Sequence, residues 1–427
     1  MPGVRQRNSF AGPDRAKRAF ALDSPGIVVD VAEVVMAKRV RSRRLVYVGE
    51  DGDLYQSSDA RSSQRLTWGW NGSGEPSRLE YVWPSYSPDG SLVACFGVRA
   101  GGAPEAGLYA VAEDGVAMHE LWRMRGAAPI CESWSPDSRR IALLLQDDAG
   151  LRLELADVTR PGETRILDSG SPVFWSWSPA GRYLAVHTGG SLTVSEDARL
   201  SIFSTDDDCE EIVRLAPGEF RTPAWSPDGT RLAYVDASDA RREYLSIYRL
   251  ADGVTEIVCP VEGHCALLWS PDGRYLAFSE ALGETPHLFT GVTLVEARTG
   301  RTEVVGTENI VGFFWSPCSR RLILVGFSEG GSMQWSVLDV TGSTRRLTPR
   351  FYPSQELIYY CWFFDQLAPS HPLVSPDGQT LAFAGVLAGE DEALQRESSV
   401  YLVPIESSSS PRKLASGHFA CWDSQAR

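Results

Sequence analysis

The chain has 427 residues, 43% hydrophobic and 22% charged, so it is globular and carries enough apolar mass for a large core. That balance excludes a disordered, collagen-like or disulfide-stapled class. A formal charge of −14 argues against a dedicated binder of nucleic acid or of an anionic membrane, so neither is expected as a partner.

Residues 1–44 hold ten Lys or Arg against four Asp or Glu, which leaves the remainder near −20. Residues 1–39 read as a basic, largely disordered arm. Its apolar stretch Ala19–Leu22 is too short for a secretory core, and 26–37 is broken by Asp30 and Glu33. Nowhere do 18 apolar residues run together. The eight cysteines form no C-x-x-C pair. Reduced thiols and a cytoplasmic location are the expectation.

From residue 40 onward one phrase recurs: Tyr86-Ser-Pro-Asp-Gly90, Trp134-Ser-Pro-Asp-Ser138, Trp177-Ser-Pro-Ala-Gly181, Trp225-Ser-Pro-Asp-Gly229, Trp269-Ser-Pro-Asp-Gly273, Trp315-Ser-Pro-Cys-Ser319 and Val374-Ser-Pro-Asp-Gly378. Its serines are spaced by 48, 43, 48, 44, 46 and 59 residues. Pro presets φ, Asp bonds the backbone and Gly accepts positive φ, so each phrase predicts a hairpin turn. The preceding Trp is large enough to wedge between neighbouring sheets. A short apolar strand follows each phrase, then a variable loop and further strands. A four-stranded unit cannot bury both its faces alone, so the units must stack, and a step near 46 fits one propeller blade. At the start, 44–48, 53–56 and 64–67 read as strands two to four of a blade without a first strand. At the end, Gly417-His-Phe-Ala-Cys-Trp422 reads as a first strand with nothing after it. Joining these halves closes a ring and leaves no open edge. The expected fold is therefore all-β: a single propeller over residues 40–427, with eight four-stranded blades favoured and seven the alternative count.

The W-S-P-D-G phrase followed by an apolar strand resembles the TolB-type propeller repeat, which is also similar to the propellers of prolyl oligopeptidase relatives. The resemblance covers residues 40–427 and implies the fold. TolB's α/β domain and the peptidases' hydrolase domain have no counterpart expected here. Envelope transport and peptide cleavage are therefore not carried over, and no family site residue maps onto this chain.

Candidate chemistry is thin. Gly326-Phe-Ser-Glu-Gly330 matches a nucleophile elbow by letters, but its strand-to-strand context makes it a hairpin. Cys259-Pro-Val-Glu-Gly-His264-Cys265 lacks the second ligand pair of a zinc site, and Cys131, Cys265 and Cys421 precede a blade Trp, towards the channel. Asp206–Asp208 and Glu390–Glu392 lack a calcium-loop pattern. No metal and no cofactor are expected. The long step is the most informative feature. Residues 351–371 are about 13 residues longer than the mean spacing allows and pack aromatics against Asp365, Gln366, Ser370 and His371. This connection should emerge on the face of the longer loops 188–199, 236–244, 279–288 and 385–399, with His264 and His418 at the same channel mouth. One reading is a ligand pocket built from Trp362, Phe364, Asp365, Gln366, Ser370, His371, His264 and His418. The other is an aromatic plug locked by Asp365 and His371. Burial discriminates them: a solvated pair favours a ligand or chemistry, a buried one favours structure. The expected function is non-catalytic binding of a peptide, protein or small-molecule ligand. The alternative is a lyase, lactonase or cyclase at the channel mouth.

Overall fold

The computed structural model describes residues 43–58, 62–69, 79–99, 105–190, 198–206, 208–218, 221–239, 242–283, 285–328, 330–389, 397–407 and 410–424. The expected basic arm and Glu390–Glu392 lie outside the described residues. Two compact units are distinguished, Met1–Arg41 and Ser42–Arg427, and every described residue belongs to the second.

Each repeated phrase forms a turn locked by its own side chains. In the first, Gly90 donates its N–H to the Ser87 carbonyl at 2.7 Å. The Ser87 hydroxyl donates to Asp89 and accepts from Leu92 N, while Asp89 accepts from Ser91 N. The same bonds recur at Ser135, Ser226, Ser270 and Ser375. Two phrases carry Ser in the glycine position, and both serines are left-handed, with φ of 61° at Ser138 and 59° at Ser319. Their hydroxyls accept the N–H of Asp89 and Asp272 in the preceding turn, which offsets part of the backbone strain.

The turns join antiparallel strands into units whose order follows the sequence. Leu79–Tyr86, Leu92–Arg99, Glu105–Ala112 and Met118–Arg125 form one unit, and three more begin at Ala128–Trp134, Val173–Trp177 and Ala224–Trp225. Thr302–Trp315 is the outer strand of one unit and the inner strand of the next. Arg412–Trp422 likewise pairs with Ser399–Pro404 by its first half and with Arg44–Gly49 by its second. The terminal halves thus complete one shared unit, as expected. Arg44 ion-pairs with Asp423 and donates to the Gly90 carbonyl, tying that closure to the next unit. Grouped by these pairings, the described strands form eight antiparallel sets, called blades 1 to 8 with the shared one first. The architecture is a single all-β propeller.

The blade tryptophans act as wedges and also as clamps. Trp134, Trp225, Trp269 and Trp315 each donate an indole N–H to a backbone carbonyl of the preceding inner strand, at 3.0–3.3 Å. Two expectations need correction. The stretch 279–288 is not a loop, because strands Tyr275–Leu282 and Thr285–Glu296 continue through it as a tight hairpin. Its register shifts near Gly291, whose positive φ and close approach to the Gly306 carbonyl leave no room for a side chain. Among the described residues blade 8 shows no regular inner strand; Val374 makes one bridge to Leu381 instead.

Candidate functional site

The long insertion fills the place that the missing inner strand leaves. Phe351–Pro353 pairs with Thr380–Leu387, and two helices follow, α1 at Gln355–Trp362 and α2 at Phe364–Leu367. Ser354 caps α1, its hydroxyl accepting from Leu357 N at 3.1 Å, with Glu356 in the first turn. The same hydroxyl donates to the His418 carbonyl, which fixes the helix to blade 1.

The helices touch an inner strand, or the connection leading to it, in most of the ring. Tyr360 packs on Phe419 of blade 1 and on Phe314 of blade 7, and Tyr359 on Trp83 of blade 2. Gln366 accepts from Trp175 N of blade 4 at 2.9 Å. Phe364 stands edge-on to Phe289 of blade 6 and Phe313 of blade 7. In blade 8, the Ser354 N–H donates to the Ala384 carbonyl. Phe364 and Tyr360 are fully buried, so their packing alone is worth several kcal/mol, at about 1.5–3 kcal/mol per large apolar side chain.

Two polar groups lie within this packing. Asp365, 1% exposed, ion-pairs with Arg221 at 3.2 Å and accepts from Thr222 N ahead of blade 5 at 3.4 Å. Arg221 is itself buried; it also donates to the carbonyls of Pro286 and Trp362 and lies over the Phe289 ring. His371 is fully buried. Its Nδ1 lies 2.8 Å from the Ser370 hydroxyl, its carbonyl accepts from the Tyr360 hydroxyl, and its ring meets Trp83 and Phe419 edge-on. The Nε2 side faces Glu132 of blade 3 at 3.7 Å. Glu132 is fully buried and accepts from the Ser85 hydroxyl. Burial pushes the Glu132 carboxyl up to about 8 and holds the His371 imidazole down at about 4. At neutral pH the two face each other as neutral groups.

The predicted site residues therefore divide. Phe364, Asp365, Gln366 and His371 are brought into one buried assembly, with Ser370 half-buried beside it. By the burial criterion these residues favour the plug over the open pocket. His264 is buried at the head of blade 6 and His418 is half-buried at the head of blade 1. Cys131, Cys265 and Cys421 are buried thiols whose pKa burial raises. Ser328 lies in a hairpin turn, its N–H bonded to the Ser332 carbonyl. Trp362 alone among the eight is exposed, at 41%, with its ring stacked on His287 at 5.2 Å and 18°. Sequence reasoning missed Arg221, Glu132, Ser85 and His287. A charged residue within an inner strand, as Glu132 is, or three positions ahead of one, as Arg221 is, is the one signal that marks them.

No family model matches the chain. Over 59 residues it is 42% identical to the Tol-Pal system protein TolB of Alcanivorax borkumensis, a stretch that is 14% of each chain. Among solved structures, the dihydro-heme d1 dehydrogenase NirN aligns with a TM-score of 0.56 at 13% identity, over 88% of this chain and 74% of NirN. A eukaryotic initiation factor aligns at 0.52 and 12% identity, over 90% and 99% of the two chains. TolB from Acinetobacter baumannii aligns at 0.40 and 14% identity, with 71% of this chain covering 63% of that one. At these identities the two structures with TM-scores above 0.5 speak for the fold alone.

Proposed function

We propose that this TolB-like β-propeller works by binding a protein or peptide partner on its loop-rich face, without catalysing a reaction. One observation carries the reading: the insertion that marks the channel mouth places Asp365 and His371 inside a packed plug and turns Trp362 outward. An acid–base pair needs access to a reacting atom. Asp365 is instead held by Arg221, and His371 by Ser370 and the aromatic rings around it. A rigid ring whose plug leaves an aromatic exposed is suited to recognition, because the aromatic side chain loses little conformational freedom on contact.

A photo-cross-linking residue placed at Trp362, in the full chain expressed in its own host, tests this reading. Cross-linking to a polypeptide at 362 and none from the same residue at Ile257, exposed on an outer strand, is the expected result. Equal cross-linking at both positions, or none at 362, contradicts it.

A further inference from the structure

Three exposed apolar residues near the plug stand at strand ends of successive blades, as a row from blade 6 to blade 8. Leu282 ends a strand of blade 6, Phe327 ends a strand of blade 7, and Tyr352 stands on Phe351–Pro353 between blades 7 and 8. Leu282 and Phe327 end the second strands of their blades, and Tyr352 pairs near the end of the next one. At that end the Trp362 carbonyl meets His287 beside the Leu282–Thr285 pair. Leu282, Phe327 and Tyr352 are each at least 36% exposed. Isolated exposed apolar residues need no explanation, but several on one face mark a contact surface. The stack of Trp362 on His287 is already fixed, since the Trp362 carbonyl accepts from Arg221 and lies 3.2 Å from His287 Nδ1. A partner side chain would therefore meet a preorganised aromatic plane.

Carboxylates flank that row at both ends. Near blade 6, Thr290 pairs with Asn309 and its hydroxyl donates to the Glu280 carbonyl, which places Glu280 and exposed Glu308 on either side of it. Near blade 8, Tyr352 pairs with Val386, and Gly385 pairs with Ser399 on the next strand. Glu397 thus begins about two strand spacings, roughly 10 Å, from the Tyr352 row. The Glu397 carboxyl lies against the Glu50 carboxyl of blade 1, and this contact raises the Glu50 pKa. Two exposed carboxylates held against each other are a place where an added cation is favoured. Basic groups stand on this side too: Lys413 donates to Ser416, Arg350 is exposed, and the His418 ring lies near Glu50.

We infer that the partner is a cationic segment with at least one large apolar side chain, its Lys or Arg residues spanning the Glu280/Glu308 and Glu50/Glu397 ends while the apolar group seats on Trp362 and Tyr352. This inference rests on the binding reading above and adds the partner's chemistry. Charge sets the encounter and orientation, and the aromatic plane supplies the held contact.

Three fluorescein-labelled 12-residue peptides test it by anisotropy on the full chain: Lys with Phe and Leu, Lys with Ser, and Glu with Phe and Leu. The first should bind at least about tenfold tighter than the other two and weaken as salt rises. Trp362→Ala should weaken it about tenfold and the double variant Glu50→Gln/Glu397→Gln several-fold, whereas Ile257→Ala should leave it unchanged. Equal binding of the Lys/Ser peptide would reduce the face to a diffuse field and overturn the inference, as would equal binding of the acidic peptide, binding of none, or indifference to Trp362→Ala. The segment cross-linked at position 362 separates the two readings. A captured segment without basic excess sinks the cationic partner alone, and absence of any captured polypeptide sinks both.

Discussion

The Glu132 carboxyl gives the plug a measurable pH signature. In the unfolded chain it titrates near 4.5, and in the fold burial moves it to about 8, with the Ser85 hydroxyl opposing the shift. Between those values the native state holds a proton that the unfolded state has released, so stability falls as pH rises from 4.5 to 8. His371 runs the other way. Its ordinary value is 6.5 and burial holds it at about 4, so its contribution is lost as pH falls through that interval. The two opposing slopes overlap between 4.5 and 6.5, and above 6.5 the Glu132 slope stands without that opposition. Glu132→Gln keeps the shape and the Ser85 contact but cannot ionise. The stability difference between wild type and Glu132→Gln should therefore move by about 1.4 kcal/mol per pH unit, or about 2–3 kcal/mol between pH 5.5 and 7.5, in the variant's favour at the higher pH. Urea unfolding of both proteins at the two pH values reads this directly. A difference that stays constant within about 0.5 kcal/mol would refute the reasoning, because it would mean that Glu132 ionises at its ordinary pH inside the fold.

Arg221→Ala should cost about 3–5 kcal/mol, because it strands the buried Asp365 carboxylate, and adding Asp365→Asn should recover part of that loss in thermal unfolding. His371→Ala should lower stability by about 2–4 kcal/mol, since it removes a fully buried ring packed between Trp83 and Phe419; a melting temperature unchanged from wild type would mark the residue as functional and not structural. Trp269→Phe should cost about 1 kcal/mol beyond lost packing, for the indole bond to the Ala224 carbonyl, and a loss no greater than that of a packing change would deny the clamp its role.

The parts of this structure that were legible from sequence are those whose interactions are local. Ser87, Asp89 and Gly90 make their bonds within five residues of one another, so the turn is written in the phrase itself. Ring closure was legible because each terminus shows an incomplete unit whose missing strands the other supplies. The insertion was legible as aromatic-rich and misplaced in length, but its helices were not. Tyr, Phe and Trp favour strands, and the helix depends on the short signal of Pro353, Ser354 and Glu356. The hairpin through 279–288 is not legible as strands, because the bulge at Gly291 interrupts the alternation. Asp365 and His371 stood out as polar residues among aromatics. Their partners did not, since Arg221 lies 144 residues from Asp365 and Glu132 faces His371 from far along the chain, separations at which no sequence pattern operates.

The helices of residues 351–371 are packed as a fixed plug that leaves Trp362 and Tyr352 exposed. Native-state hydrogen exchange of the α1 and α2 amides tests this packing most directly. Tyr359, Tyr360 and Phe364 to Leu367 should exchange as slowly as the buried amides of Ser178 and Ser316, which bond the Tyr183 and Arg321 carbonyls within the ring, and only with unfolding of the ring. Exchange of those helices at the rate of the exposed hairpin around Gly330 and Gly331 would contradict it and return Asp365 and His371 to an open channel mouth.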